Sequence, residues 1–524
     1  MKLIQINDEK VKKEFSDKGY SYPSYDRERV RANTGKSPAW VHFGCGNIFR
    51  AFPAAVLDGL LCSGIYDKGV IAVEGFDYDI INKAYKPFDD LSLLVTLKSD
   101  GDIDKRIIGA VTESLTADFE RKEDLDRLKQ IFISPSLQMV SFTITEKGYS
   151  LSGADSFPPK HLMGKIAYLL HERFLAGAYP VAMSSMDNCS HNGDRLKAAV
   201  LAYADKWQEM GITHKGFREY LTDENKVTFP LSMIDKITPR PDGDVVQMLK
   251  KDGFEDTDII VTDKNTYTAA FVNAEETQYL VIEDRFPNNR PPLDKGGVYF
   301  TDRQTVDRVE KMKVCTCLNP LHTALAIFGC LLSYDSIWKE MRDADLSAFV
   351  RGMGYSEGMP VVTDPGIISP ESFIEEVLNK RLVNPYMPDT PQRIACDTSQ
   401  KLPIRFGVTL KAYADRGDDL LRLRYIPVVL AGYLRYLTGV NDEGDDFEPS
   451  PDPMLEELSG TMRKYRGFGQ ASTDELRPVL SRTDVFGIDL YETHLADKIT
   501  KLFNRMNEGT GKVREVLHGM RECS

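Results

Sequence analysis

An apolar strand that enters a helix through a glycine turn and leaves toward a second strand ending on a carboxylate has few folds open to it. Ala39-Trp-Val-His-Phe43 is such a strand, Gly44-Cys-Gly46-Asn47-Ile48-Phe49-Arg50 turns into a helical pattern reaching about Cys62, and Val70-Ile-Ala-Val-Glu74 follows. Strand, helix and parallel strand make a βαβ unit. Its glycine turn presents backbone N–H groups to a pyrophosphate at the head of the helix. Gly44 would make the tight turn and Gly46 would let the backbone approach the phosphates, with Asn47 and Ile48 opening the helix. Phe49 stands where the usual fingerprint has its third glycine. Glu74, or Asp77 just beyond it, could accept hydrogen bonds from the adenosine ribose. Either carboxylate would repel a 2′-phosphate, which favours NAD over NADP.

The alternation of strand and helix continues. Leu93–Leu97 and Met139–Ile144 read as buried strands, with a charged helical pattern at Phe119–Ile131 between them. Thr145-Glu-Lys-Gly-Tyr149 directly follows the second strand, at the end where ligands sit in open α/β sheets. Pro180–Asn188 is a further strand closing on polar residues, followed by His191-Asn-Gly-Asp194 and a helix from about Arg195 to Met210. Asn188 is thus a strand-end amide that could donate to a substrate oxygen or simply bond its own turn. Asp235, closing the run Met233-Ile-Asp235, could organise a site as a buried carboxylate or act as a cap. Pro287–Gly297, rich in Pro, Gly and Asn, reads as a linker. Beyond it the patterns are mostly helical, at Ser372–Lys380, Leu420–Leu437 and Leu495–Met506, with an acidic surface loop at Asp442–Pro453. The expected organisation is a polar extension over 1–38, a dinucleotide-binding α/β domain over 39–297 and a mainly helical domain over 298–524.

The helical half carries its own chemistry-bearing stretch, Lys313-Val-Cys-Thr-Cys-Leu-Asn319-Pro320-Leu-His322. Proline suits the first turn of a helix and disfavours helical geometry just before it, so Asn319 reads as an N-cap. His322 then falls in the first turn, where unpaired N–H groups and the helix dipole disfavour an added positive charge. Lys313 reads as part of the segment leading in. An amine, an amide and an imidazole together could take a proton from a hydroxyl and hold the oxygen as it becomes a carbonyl. The alternative is an ordinary cap, a half-buried histidine and a solvated lysine. A later loop, Arg393-Ile-Ala-Cys-Asp397-Thr-Ser-Gln-Lys401-Leu-Pro-Ile-Arg405, sets three cations among hydroxyls and could bind a polyhydroxylated, carboxylated substrate.

The formal net charge of −13 argues against nucleic acid or an anionic membrane as partner and leaves a small molecule. No signal-peptide core or membrane-length apolar run is read from the sequence, so a cytoplasmic location is expected. Eight scattered cysteines suit reduced thiols, and Cys315-Thr-Cys317 lacks the second cluster that a zinc site needs.

In this order, Gly44-Cys-Gly46-Asn-Ile-Phe-Arg, Thr145–Tyr149, Asp187-Asn188 with His191-Asn-Gly193, Ile234-Asp235-Lys-Ile-Thr-Pro239, Val281–Asp284, Asn319 with His322, and Asp397 with Ser399 and Lys401-Leu-Pro403 resemble the mannitol dehydrogenase family of polyol-specific long-chain dehydrogenases and reductases, which also contains fructuronate and tagaturonate reductases. The resemblance implies a Rossmann-type domain, a helical domain, a cleft between them, and metal-independent hydride transfer with NAD. By position it implies Lys313 as general acid/base, Asn188 and Asn319 as oxyanion-stabilising amides, Asp235 as a buried acid near the lysine, and His322, Arg393 and Lys401 as substrate-orienting groups. Arg405 joins them as a third cation. Two departures stand out. The family's lysine lies five residues before the asparagine, whereas Lys313 lies six before Asn319, and the family's following glycine is Pro320 here. Either a one-residue bulge keeps Lys313 aimed, which is the expected case, or the lysine is displaced.

The reaction expected is interconversion of a sugar acid or polyol with its ketose, a carboxylated substrate such as fructuronate fitting the cations better than mannitol. A non-catalytic NAD-binding protein and a sugar-phosphate dehydrogenase are the rival readings. The sequence leaves the oligomeric state open. Exhaustive dialysis against EDTA is expected to leave NADH oxidation unchanged, and a loss restored by added zinc would contradict the metal-independent reading.

Overall fold

A computed structural model describes residues 1–522, which form two compact units, Met1–Val306 and a second beginning at Asp307. Cys523 lies outside the described residues.

The first unit is built on a six-stranded, wholly parallel sheet. Across the sheet the strands run Val111–Thr116, Val70–Glu74, Trp40–Phe43, Met139–Phe142, Val181–Ser185 and Val227–Thr228. Counted in chain order this is 3-2-1-4-5-6, the doubly wound arrangement, with its topological switch between Trp40–Phe43 and Met139–Phe142. Side chains alternate as strand geometry requires. Val41, Phe43, Ile71, Val73, Val140 and Phe142 share one core with the helices Lys122–Ile133, Leu162–Leu175 and Asn192–Glu209. Trp40, Val70, Ala72 and Met139 enter the other core, beside the helix Pro53–Cys62.

Leu93–Leu97 is a buried strand, as expected, and it lies outside this sheet: Ser92–Leu97 forms an antiparallel hairpin with Ile103–Ile108, and the two share a four-stranded sheet with Tyr20–Ser21 and Phe271–Glu275. Both hairpin strands pair parallel with their outer neighbours, Ser92–Leu97 with Phe271–Glu275 and Ile103–Ile108 with Tyr20–Ser21, so this second sheet is mixed. The third strand of the main sheet is Val111-Thr-Glu-Ser-Leu-Thr116, too polar to read as buried. Residues 1–38 carry the helices Glu9–Asp17 and Arg27–Lys36, whose Phe15 and Val30 are buried. The stretch from Pro287 to Gly297 also lies within the first unit. Ser232–Asp235 pairs antiparallel with Tyr279–Glu283 in a separate three-stranded sheet.

The second unit is helical. Leu495–Met506 has the bounds expected of it, Tyr425–Tyr436 lies within the expected Leu420–Leu437, and Pro370–Glu376 begins two residues before the expected Ser372–Lys380 and overlaps its first half. The helical run Arg303–Leu331 has the length and apolarity to cross a membrane, unlike anything foreseen, but 83% of its apolar window is buried inside the protein, as for a core helix. The acidic stretch 442–453 is more than a surface loop. Buried Asp442 accepts from the backbone N–H groups of Val513 (2.8 Å) and Arg514 (3.1 Å), and Asp452 accepts from Ser399 Oγ (2.5 Å). Carboxylates that serve helix amides read as surface acidity in a sequence.

Glu340 is fully buried, and neither carboxyl oxygen has a hydrogen-bond partner among the described residues. Burial pushes its pKa well above the usual range, with the charge of Asp343 adding to the effect. The native state keeps this proton while the unfolded chain releases it above its ordinary carboxyl pKa, so stability falls as pH rises beyond about 4.3. Glu340→Gln is expected to melt at a higher temperature than the parent near pH 8, by an amount worth about 1–3 kcal/mol, the gain shrinking toward pH 4. A difference that does not change with pH would contradict this.

Candidate functional site

In the first unit the glycine turn is dictated by steric limits. Gly44 adopts φ +106°, and a Cβ there would lie 2.1 Å from the Thr143 carbonyl oxygen. Gly46 caps the helix Asn47–Ala51 and has open space where a side chain would go. Phe49, in place of the third glycine, stacks on His42 of the preceding strand with centroids 3.9 Å apart. His42 is held between Ser141 Oγ (2.7 Å) and Thr143 Oγ1 (2.8 Å), and burial lowers its pKa to about 3. The close packing of helix on strand that a glycine would permit is thus achieved by ring stacking.

Glu74 lies where the ribose reading needs a carboxylate, and it also organises the turn. Its Oε2 accepts from Cys45 N (2.9 Å), and its Oε1 from Phe76 N (2.9 Å) and Asp77 N (3.2 Å). Burial raises its pKa and the three amides partly offset that. Asp77 is buried and accepts from Thr262 Oγ1 (2.6 Å). Asn47 accepts from buried Arg50 (2.9 Å), which also donates to the Ala269 carbonyl (2.7 Å).

A cavity of about 410 Å³ opens past the ends of the strands at the switch point. Ile48, Asn188 and Asp235 all line it, together with Thr143, Met186 and Asp187. Asp187 was missed as a functional residue. It accepts from Ile144 N and Thr145 N, both at 2.8 Å, and from the Tyr149 hydroxyl at 2.5 Å. Two motifs that are separate in sequence, Thr145–Tyr149 and Asp187-Asn188, therefore form one hydrogen-bonded unit. The signal was a carboxylate immediately before the candidate amide. Burial raises the Asp187 pKa against the pull of Tyr149 and the two amides. Asn192 completes the support: its Nδ2 donates to the Asp187 carbonyl (2.9 Å) and its Oδ1 accepts from Ser232 N (3.0 Å), tying the Asn188 turn to the strand that ends at Asp235.

In the second unit, the residue before the proline is not a cap. The N-cap position is Leu318, Asn319 is the first helical residue and Pro320 the second. Nor is Lys313 in an irregular lead-in. It opens a π-helical turn, Lys313–Cys317, that follows the helix Arg303–Met312 and precedes Asn319–Leu331. The backbone N–H of Leu318 reaches back five residues to the Lys313 carbonyl (3.1 Å). This is the one-residue bulge, and its cause is local: Pro320 has no N–H to donate, and its ring would strike a regular α-helical carbonyl. The amide of Asn319 is not spent on capping, while its backbone carbonyl accepts from Thr323 Oγ1 (3.0 Å) and Arg405 (3.4 Å). Lys313 is buried.

The supposed basic loop is two short helices, Pro391–Ile394 and Thr398–Leu402, and a π turn, Pro403–Gly407. Each cation has internal partners. Arg405 donates to Thr323 Oγ1 (2.5 Å), and burial lowers its pKa to about 10. Lys401 Nζ donates to the carbonyls of Ile394 (3.0 Å) and Cys396 (2.5 Å), and its pKa is lowered by burial and by Arg405. Arg393 donates to Asp389, whose other oxygen lies 3.4 Å from His322 Nε2. Asp389 was missed. The i,i+4 spacing to Arg393 in Pro388-Asp-Thr-Pro-Gln-Arg393 was its only trace. Burial alone would raise the Asp389 pKa, but His322, Arg393 and Arg381 hold it below the ordinary carboxylate value.

Comparisons with known proteins follow this division. The mannitol dehydrogenase Rossmann domain profile matches residues 38–295 and the mannitol dehydrogenase C-terminal domain profile matches 305–507. The D-mannonate oxidoreductase of Thermotoga maritima is 50% identical over 95% of both chains. A solved D-sorbitol dehydrogenase covers 95% of this chain and 97% of its own, with TM-score 0.78 and 24% identity. The Pseudomonas fluorescens mannitol 2-dehydrogenase in complex with NAD and D-mannitol covers 97% of both, with TM-score 0.68 and 24% identity. These two share the fold.

Deleting Val314 removes the extra residue. With Pro320 retained, the deletion is expected to lower stability by about 3 kcal/mol, the cost of a proline inside a regular helix, and adding Pro320→Ala should restore most of it. Thermal unfolding checks this, and a deletion that is harmless on its own would contradict it.

Proposed function

This chain belongs to the mannitol dehydrogenase family, and from that premise we propose that it is an NAD-dependent oxidoreductase interconverting D-mannonate and D-fructuronate. The observation that carries the substrate is the 50% identity, across 95% of both chains, to a D-mannonate oxidoreductase. The three cations of the second unit do not carry it, because each already has internal partners.

The residues of the first unit suit a dinucleotide. The Gly44–Ile48 turn leaves open space at Gly46, a carboxylate stands at the end of the second strand, and a cavity lies at the switch point. On this reading Gly44, Gly46, Asn47 and Ile48 receive the pyrophosphate, and Glu74 or Asp77 the adenosine ribose. The nicotinamide supplies or accepts the hydride. Lys313 takes the hydroxyl proton in oxidation and returns it to the carbonyl oxygen in reduction. In the second unit Asn319 donates to that oxygen as charge develops, and in the first unit Asn188 is the amide of the same kind; such a donor lowers the barrier only if it is held in place beforehand. The network of Asp187, Tyr149 and Asn192 supplies such support for Asn188. Asp235 is the buried acid of the first unit, and in the second unit His322, Arg393, Lys401 and Arg405 are the groups that orient the sugar's hydroxyls rather than select its carboxylate. A cytoplasmic location belongs to the same reading.

NADH oxidation is to be followed with D-fructuronate, D-tagaturonate and D-fructose. Turnover is expected with fructuronate, and with NADPH kcat/KM should fall at least about tenfold. Turnover of fructose alone would make the protein a polyol dehydrogenase. NADH binding without turnover of any sugar would favour the non-catalytic reading. A Lys313→Ala variant is expected to lose at least about a hundredfold in kcat while binding NADH normally, in line with removal of a general acid/base.

A further inference from the structure

We propose that Asp389 is a positioning residue that holds the His322 ring by its Nε2, so that Nδ1 is the nitrogen left to accept a hydrogen bond from a sugar hydroxyl. The inference rests on the reaction proposed above and concerns only the second unit.

Asp389 is 6% exposed, so its carboxylate must be paired to be tolerable. Its two oxygens are divided. Oδ1 accepts from Arg393, while Oδ2 lies 3.4 Å from His322 Nε2. That nitrogen is itself buried, and the contact is close enough for an ion pair but not aligned as a hydrogen bond. Contacts of this kind often tighten when substrate arrives. The carboxylate is fixed from both sides in sequence. Its backbone carbonyl accepts from Ile337 N (2.9 Å), and the next residue, Thr390, caps the short helix that carries Arg393 by accepting from Arg393 N (3.2 Å). Buried Arg381 is the further charge acting on Asp389.

A carboxylate facing one imidazole nitrogen places the proton there and fixes the ring's orientation. A ring that carries its proton there offers a lone pair on its other nitrogen. His322 stands three residues after Asn319 on the same helix, so an Nδ1 acceptor would bind a hydroxyl neighbouring the one that reacts. Arg393, tied to the same carboxylate, moves with it. One buried acid would thereby set two of the groups that orient the sugar.

The test is a double-mutant cycle with the natural sugar and NADH. Asp389→Asn and His322→Ala are each expected to raise KM for the sugar about tenfold with a smaller change in kcat, and the double variant to be no worse than either alone. NADH affinity should not move. Additive effects, or no effect of Asp389→Asn, would overturn the proposal. A second measurement needs neither substrate nor variant turnover: ring ¹⁵N shifts, with His322 assigned by difference from His322→Gln. Protonated Nε2 and bare Nδ1 support the proposal, and the opposite tautomer overturns it. Absence of turnover with every sugar would count against the proposed function and leave the tautomer result to decide this one.

Discussion

One residue too many between a lysine and an asparagine has to be absorbed somewhere, and in the second unit it is absorbed within the helix itself. Each α-helical residue turns the chain by roughly 100°, so a simple insertion would swing Lys313 to another face. The π turn at Lys313–Cys317, closed by the bond from Leu318 N to the Lys313 carbonyl, takes up the extra residue as a wider loop of backbone. Pro320 makes that wide turn the cheaper solution, since it asks for no backbone acceptor and cannot sit in a regular ladder.

Around this helix and around the glycine turn the same device recurs: a buried carboxylate that accepts backbone amides from a neighbouring segment. Glu74 joins the strand end to the Gly44–Gly46 turn, and Asp187 joins the Asn188 turn to Ile144 and Thr145. Glu357 accepts from Tyr425 N and Ile426 N, both at 2.8 Å, at the head of the helix Tyr425–Tyr436. Burial pushes these acids up in pKa and the amide bonds pull them back. Each is worth more as a fixed acceptor than as a charge, because an unpaired amide in the same place would cost about 1–3 kcal/mol.

The βαβ unit, the strand-end motifs and the helix Leu495–Met506 were legible in the sequence because hydrophobic period and glycine placement are local signals. What was lost was anything set by partners distant along the chain. Ser92–Leu97 looks like a sheet-core strand but pairs within its own hairpin, while Val111–Thr116 is in the main sheet despite its polar residues. Asn319 looked like a cap because a proline disfavours helical geometry just before it, yet here the helix begins one residue earlier and Pro320 is its second residue. Lys401 and Arg405 looked free because their acceptors are backbone carbonyls and a threonine that no sequence pattern marks. Asp389 was invisible as part of a site because its meaning comes from His322, far away in the chain.

The central claim is that Lys313, carried by the π turn, is the group that moves the proton. Chemical rescue tests it most directly: sugar-dependent NADH oxidation by Lys313→Ala, measured with and without small primary amines. The account predicts that activity lost in the variant returns with amine concentration, and more strongly with amines of higher basicity in the direction of sugar oxidation. A variant that stays inactive with every amine while still binding NADH and sugar, or one that was never impaired, would contradict it.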